Sequence, residues 1–372
     1  MLIGIPKEVK NLEFRVGATP AAVRAFWEAG HTVVVEENAG AASGYSDEAY
    51  KQAGARIVKT AKEVYASEMV IKVKEPIKQE YELLKEGQIL FCYLHLSAVK
   101  ELTQTLIDKK VVAIAYETVT DHHGHLPLLM PMSEIAGRIS IQEGATYLQK
   151  NNGGKGILLG GVPGVQPGKV VVIGGGAAGT EAARMAMGLE AKVTVLDNNL
   201  HRLRALTMHF GPRLRTQYST SSSIEEAVAE ADLVIGSVLI PGKLAPKLIT
   251  KEMVAKMSPG SVFVDIAIDQ GGCSETSRPT THSEPTYVVD DVIHYCVTNM
   301  PGACARTATQ ALNHATLEYS LKIANLGYME AFRRSLGLLD GLNVYRGQVT
   351  NRHVAEDLGY DYQPLENIVA VS

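Results

Sequence analysis

Residues 169–197, reading KVVVIGGGAAGTEAARMAMGLEAKVTVLD, leave this chain few choices of fold. The four apolar residues Val170 to Ile173 predict a buried strand, and Gly174, Gly176 and Gly179 follow at the spacing GxGxxG, ahead of a helix of small residues from Ala182 to Leu189. A second apolar run, Val193 to Leu196, ends on Asp197. Strand, glycine turn, helix and strand in that order make a unit suited to a dinucleotide. The first glycine permits the tight turn, the second lets main chain approach a pyrophosphate, and the third lets helix pack on strand. The pyrophosphate then lies over the helix N-terminus, where unpaired N–H groups point outward. A carboxylate at the end of the second strand accepts hydrogen bonds from both ribose hydroxyls and repels a 2′-phosphate, so Asp197 points to NAD rather than NADP.

With 372 residues there is room for two α/β domains. Acids slightly outnumber bases, for a net charge of -4, and no basic stripe with interleaved aromatics suggests nucleic acid. No apolar run approaches the roughly 18 residues of a membrane span, and Lys7 and Glu8 come too early for a secretory leader. The four cysteines have no CxxC spacing, so the expected setting is reducing and cytoplasmic.

Residues 1–128 predict a first α/β domain, because short apolar runs (Leu2 to Ile5, Thr32 to Glu36, Met69 to Val73, Ile89 to Leu94, Val111 to Tyr116) alternate with helical stretches. Ligands of such sheets bind beyond the carboxyl ends of the strands. Three polar residues stand there: Arg15 in the loop after the first run, Lys74 after the third and His95 after the fourth. Singly, each has an ordinary explanation as a solvated charge, a strand-end lysine or a core histidine; together they suggest a site. His122, His123 and His125, in TDHHGHLP, predict an exposed hairpin tip, with no carboxylate or thiol spacing that completes a zinc set, so no metal is expected. Ser133 is expected to open a long helix, SEIAGRISIQEGATYLQK, at the crossing into a second domain.

Beyond Asp197 the alternation continues through Leu233 to Val238 and through SVFVDIAID, a strand expected to end at Asp269 before Gly271 and Gly272. Those glycines allow a ligand close approach to the main chain, although Asp269 also suits a turn cap. A strand is expected over His294 to Val297, and after residue 303 only helices. Their apolar faces must pack on an earlier sheet. The expected fold is α/β, with two Rossmann-like doubly wound domains. The NAD domain (129–302) is inserted into a discontinuous substrate domain (1–128 plus 303–372), and the linkage through two helices would permit hinge closure.

The stretches IGIPKEVKNLEFRVGATP, VKEP, YLHL, PLLMPMSEIAGR, GGKGILLGGVPGV, VVIGGGAAGTEAA, VLDNN, SVLIPG, VDIAIDQGGC and HYCVTNMPGACARTATQAL together resemble the L-alanine dehydrogenases, within the wider group that includes the alpha subunit of proton-translocating transhydrogenase. The resemblance implies reversible oxidative deamination of L-alanine to pyruvate and ammonium, with hydride transfer to NAD. It implies that Arg15 and Lys74 grip the substrate and that His95 and Asp269 act as acid/base groups. It places NAD contacts at Ser133, Gly174, Gly176, Ala177, Ala178, Gly179, Asp197, Arg202, Ser219, Val238, Leu239, Ile266, Ala267, Ile268, Asp269, Arg278, Val297, Thr298, Asn299 and Met300. It also implies a homohexamer built from dimers. Two departures are EFRVGATP, where the family usually has ENRVALTP, and Ala177-Ala178, where Val is common; Phe14 beside Arg15 leaves side-chain preference the less constrained property. Alternatives within the same plan are a transhydrogenase-like NAD(H)-binding component without ammonia chemistry and a saccharopine-type amino-acid dehydrogenase.

Overall fold

The computed structural model describes residues 1–238 and 244–370, and the chain divides into two compact units, Met1–Pro131 with Cys304–Ser372 and Met132–Ala303. The first unit holds strands β1 (Leu2–Ile5), β2 (Thr32–Glu36), β3 (Arg56–Val58), β4 (Met69–Ile71), β5 (Ile89–Cys92) and β6 (Val112–Ala115). The second holds β7 (Lys169–Ile173), β8 (Lys192–Asp197), β9 (Leu214–Tyr218), β10 (Leu233–Gly236), β11 (Val262–Asp265), β12 (Thr286–Val289) and β13 (Val292–Tyr295). Strands β14 (Leu342–Tyr345) and β15 (Gln348–Val349) return to the first unit.

The first sheet has the order β3-β2-β1-β4-β5-β6-β14-β15 and the second β9-β8-β7-β10-β11-β13-β12. The first six strands of each list are parallel, and the remainder add antiparallel edges. Each unit is therefore a doubly wound sheet whose order reverses between two central strands, β1 and β4 in one, β7 and β10 in the other. Strands β4, β5, β6, β10, β11 and β13 are buried at every residue, which is why they read as mainly apolar runs, broken only by His294 in β13 and ended by Asp265 in β11, rather than alternating ones.

Several expectations need correction. The segment after residue 303 is not wholly helical: past the helices Ala305–Leu326, Tyr328–Arg334 and Leu336–Leu339 it forms the hairpin β14–β15. Arg346 and Gly347, both at positive φ (48° and 81°), make its two-residue turn, and β14 pairs antiparallel with β6. The helix expected from Ser133 starts at Met130, with Pro131 in its first turn where a missing N–H costs nothing. Strand β11 stops at Asp265, not Asp269, because the Asp265 carboxylate accepts the N–H of Ala267 at 3.0 Å and turns the chain into the short helix Ile266–Gln270. Strand β13 ends at Tyr295, before Val297. The three histidines form an exposed turn closed by Asp121, which accepts the N–H groups of His123 and His125 at 2.8 and 2.9 Å; no strand flanks it, so it is not a hairpin tip. No helix among the described residues is long and apolar enough to cross a membrane.

Candidate active site

In the second unit, chain leaving β7 turns at Gly174, whose φ of 97° suits glycine and whose N–H donates to the Leu196 carbonyl at 2.8 Å. The helix Ala177–Gly188 then begins with Gly176 as its cap and no side-chain cap bond, so its first N–H groups have no side chain answering them. The three glycines differ in surroundings. A Cβ on Gly179 would lie 1.8 Å from the Gly174 carbonyl oxygen, so only glycine lets this helix sit so close to the strand. A Cβ on Gly176 would meet nothing within 4 Å, so main chain there faces open space.

Asp197 ends β8 beside this loop. One carboxylate oxygen accepts the Gly175 N–H at 2.7 Å and the other the Asn199 N–H at 2.8 Å, which fixes the carboxylate while leaving lone pairs on both oxygens. Arg202 lies over the glycine turn, its Nε donating to the Gly175 carbonyl and its Nη2 to Gly176 O at 3.3 Å and Thr180 Oγ1 at 2.5 Å. Ser219 follows β9 and donates its N–H to Asp197 O at 3.0 Å. Ser133 and Ala178 lie in the first turns of the helices Met130–Tyr147 and Ala177–Gly188. Val238 follows β10, half-buried; Leu239 lies outside the described residues.

On the far side of β10, the Asp265 carboxylate is wholly buried and takes the Cys273 N–H at 2.9 Å and the Ser277 hydroxyl at 2.5 Å. Burial pushes its pKa up, against these hydrogen bonds. It thereby holds the turn that presents Asp269, which is exposed and accepts the Asn299 N–H at 3.3 Å. Ala267, Ile268, Val297 and Met300 are buried, so their side chains face protein and a ligand could meet chiefly their main chain. Ile266 and Thr298 are half-buried, and Arg278 stacks its exposed guanidinium 4.2 Å from the Tyr287 ring centre.

In the first unit the carboxyl ends of β1, β4, β5 and β6 carry ionisable side chains instead. Arg15, 2% exposed, donates from Nε and Nη2 to the two oxygens of Glu13 at 2.7 and 2.5 Å; burial opposes its charge and Glu13 restores it. Glu8 reaches from the same loop to the end of β4, accepting the N–H groups of Val73 at 2.7 Å and Lys74 at 3.4 Å. Beneath them the wholly buried Lys72 bridges Glu8 at 3.3 Å and Glu80 at 2.9 Å. Burial raises the Glu8 pKa even so.

After β5, His95 takes a left-handed conformation, φ 49° and ψ 40°, unusual for a residue with a side chain. Its N–H and that of Leu94 both donate to Glu117, at 2.7 and 3.0 Å, and its ring Nδ1 lies 3.2 Å from Glu75. Arg15, Lys74 and His95, singled out in the sequence, thus lie at neighbouring strand ends of one sheet, while Asp269 belongs to the other unit. Sequence reasoning passed over the acids that hold them, Glu8, Glu13, Glu75, Glu117 and Asp265. It also missed Gly137, where a Cβ would lie 2.1 Å from the Ala178 carbonyl oxygen. The acidic partner two residues before Arg15 and the one directly after Lys74 were the available signals.

A doubly wound sheet carrying this glycine turn, helix N-terminus and strand-end acid defines the class: a two-unit α/β protein with a nucleotide-binding fold. The alanine dehydrogenase/PNT N-terminal domain matches residues 4–136 and the alanine dehydrogenase/PNT C-terminal domain matches residues 140–352. The chain belongs to that family. It is 57% identical over 368 residues to an alanine dehydrogenase of Methanococcus maripaludis, covering 98% of this chain and 99% of the relative. It is 56% identical over 367 residues to alanine dehydrogenase 2 of Staphylococcus aureus, with the same coverage. Among solved structures, an L-alanine dehydrogenase superposes with a TM-score of 0.94 at 53% identity, over 96% of this chain and 99% of that one. A transhydrogenase from Sinorhizobium meliloti shares the fold, at a TM-score of 0.82 and 23% identity, over 95% of this chain and 99% of that one.

Proposed function

We propose that the chain catalyses the reversible, NAD-dependent oxidative deamination of L-alanine: alanine, NAD⁺ and water give pyruvate, ammonium, NADH and a proton. The observation that carries the reading is that one chain, alike end to end to alanine dehydrogenases, has an open glycine turn in one unit and ionisable strand ends in the other.

The residues present fit a dinucleotide: the open space off Gly176 and the uncapped helix N-terminus suit a pyrophosphate, and Asp197 is fixed to accept ribose hydroxyls. Ser133, Ala178, Arg202, Ser219, Val238, Arg278, Thr298 and Asn299 would complete that surface, with main chain from the buried positions around them. When bound, the nicotinamide supplies the hydride acceptor.

Arg15 uses one edge of its guanidinium on Glu13, which aims the group before a substrate carboxylate arrives. Lys74, its main chain held by Glu8, adds a positive charge for the carboxylate or the developing carbonyl. His95 moves protons to and from the substrate nitrogen and the attacking water. Asp269 orients that water or stabilises the cationic imine. Assembly as a homohexamer and a cytoplasmic setting belong to the same reading.

Purified protein incubated with NADH, ammonium and a panel of 2-oxo acids tests the reaction; turnover should be greatest with pyruvate. Asp197→Ala should narrow the preference for NAD over NADP by about tenfold, as removal of one charge-selecting contact implies. An unchanged ratio assigns the selection to another group.

A further inference from the structure

His95 is held twice by carboxylates, and neither belongs to its own strand. Glu117, from the turn Tyr116–Thr118 after β6, accepts two successive main-chain N–H groups and so stabilises the left-handed conformation that aims the ring. Such conformations are strained and persist where the surroundings over-determine them. Glu75, from the turn after β4, meets the ring itself at Nδ1. From the geometry we propose that Glu75 is the positioning residue of the reaction: it accepts the Nδ1 proton of His95 and leaves Nε2 as the nitrogen that exchanges protons with substrate.

The direction of the hydrogen bond follows from the chemistry of the pair. Glu75 is 6% exposed, and although burial opposes its ionisation, His95 and Lys10 bring its pKa down to about 2. At neutral pH it is therefore a carboxylate, which only accepts. The shared proton must sit on Nδ1, so the neutral imidazole presents an unprotonated Nε2, as a carboxylate arranges for the histidine of a hydrolase triad. The His95 side chain is 42% exposed, so the ring is reachable while its inner nitrogen is engaged. The charged and titratable groups about the ring are Glu75, Lys10 on the other oxygen of Glu75, Glu117 at the main chain, and Tyr93 with its ring centre 6.0 Å away. Glu75 is the one among them bonded to the imidazole, and its negative charge favours the imidazolium formed when Nε2 takes a proton.

The inference rests on His95 exchanging protons, as proposed above, and the experiment separates the two. In the full chain, Glu75→Gln should lower kcat for alanine oxidation about 10- to 100-fold, since the amide can drive the other tautomer. It should also move the acid limb of kcat/KM to lower pH, because the imidazolium loses its counter-charge. NADH affinity should be unchanged. On a His95→Gln background the same substitution should cost nothing further, because it acts through a ring that is gone. An unmoved limb, or losses that multiply in the double variant, overturns the assignment of Glu75 and indicates a structural role. Near-normal turnover of His95→Gln alone is a different failure: it removes His95 from the reaction. Should Glu75→Gln fail to fold, Glu75→Asp carries the test, since its shorter reach weakens the contact and its loss in kcat must likewise vanish on the His95→Gln background.

Discussion

Two sheets with the same parallel order, 3-2-1-4-5-6, present opposite chemistry at the point where that order reverses. Past β7 and β10 the chain offers glycines and main chain, with Gly174 turned left-handed and Gly176 bare toward open space. Past β1 and β4 it offers Arg15, Lys72, Lys74 and the acids that hold them, five of which, Arg15, Glu8, Glu13, Lys72 and Glu80, are almost wholly buried. On the proposed function, one strand order would serve two kinds of recognition: a pyrophosphate would be met by N–H groups that need no side chain, and an amino acid by side chains that must first be held in place.

The contrast can be broken at its stiffest point. Gly179→Val drives side-chain atoms into the Gly174 carbonyl, a contact already 1.8 Å at Cβ. It should cost at least about 3 kcal/mol of stability, read as a fall in the urea midpoint, together with loss of NADH binding. Next in size is Arg15→Lys, which retains the charge and loses the fork. It should lower kcat/KM for pyruvate about 30- to 100-fold with NADH affinity intact, because a bidentate pair with the substrate carboxylate becomes a single contact.

A sharper contrast lies within the glycine turn itself. Gly176 has an ordinary φ of -65° and room for a Cβ, so Gly176→Ala should leave thermal stability within about a degree while weakening NADH about tenfold. Equal loss of stability and affinity would show that the space has a structural use. The smallest effect concerns acid. Glu75, depressed in the folded state, contributes stability that is complete above its ordinary value of 4.5 and is lost as pH falls toward 2. Glu8, raised by burial, runs the other way: what it contributes is present below 4.5 and lost above. With Lys10 and His95 partly exposed and screened, Glu75→Gln should reduce the acid dependence of the unfolding midpoint between pH 5 and 3 by about 1 kcal/mol.

What was legible in the sequence follows the same division. The glycine turn could be read because its spacing and flanking apolar runs are local, although Ser237, sixty-three residues on, also donates to Gly174 O. Arg15, Lys74 and His95 could be found as polar residues at the ends of apolar runs. Glu75 and Glu117 could not be assigned to His95, because each comes from a different strand end and the contact depends on which strands are neighbours. Strand β9, reading LRTQY, and the hairpin β14–β15 were missed for a different reason. An edge strand with polar residues shows no unbroken apolar run, and a four-residue strand between a helix and a tight turn is too short to reveal a period. The end of β11 was misplaced because Asp265, the residue that stops it, sits inside an otherwise continuous apolar stretch.

The central claim is that the two strand-end sites serve one reaction, and NADH consumption by the purified chain with ammonium and pyruvate tests it most directly. The account predicts turnover that requires ammonium, favours pyruvate over larger oxo acids and reverses with L-alanine and NAD. Tight NADH binding with no turnover on any oxo acid would contradict it, leaving the glycine turn as a nucleotide site and the Arg15, Lys74 and His95 cluster without a substrate.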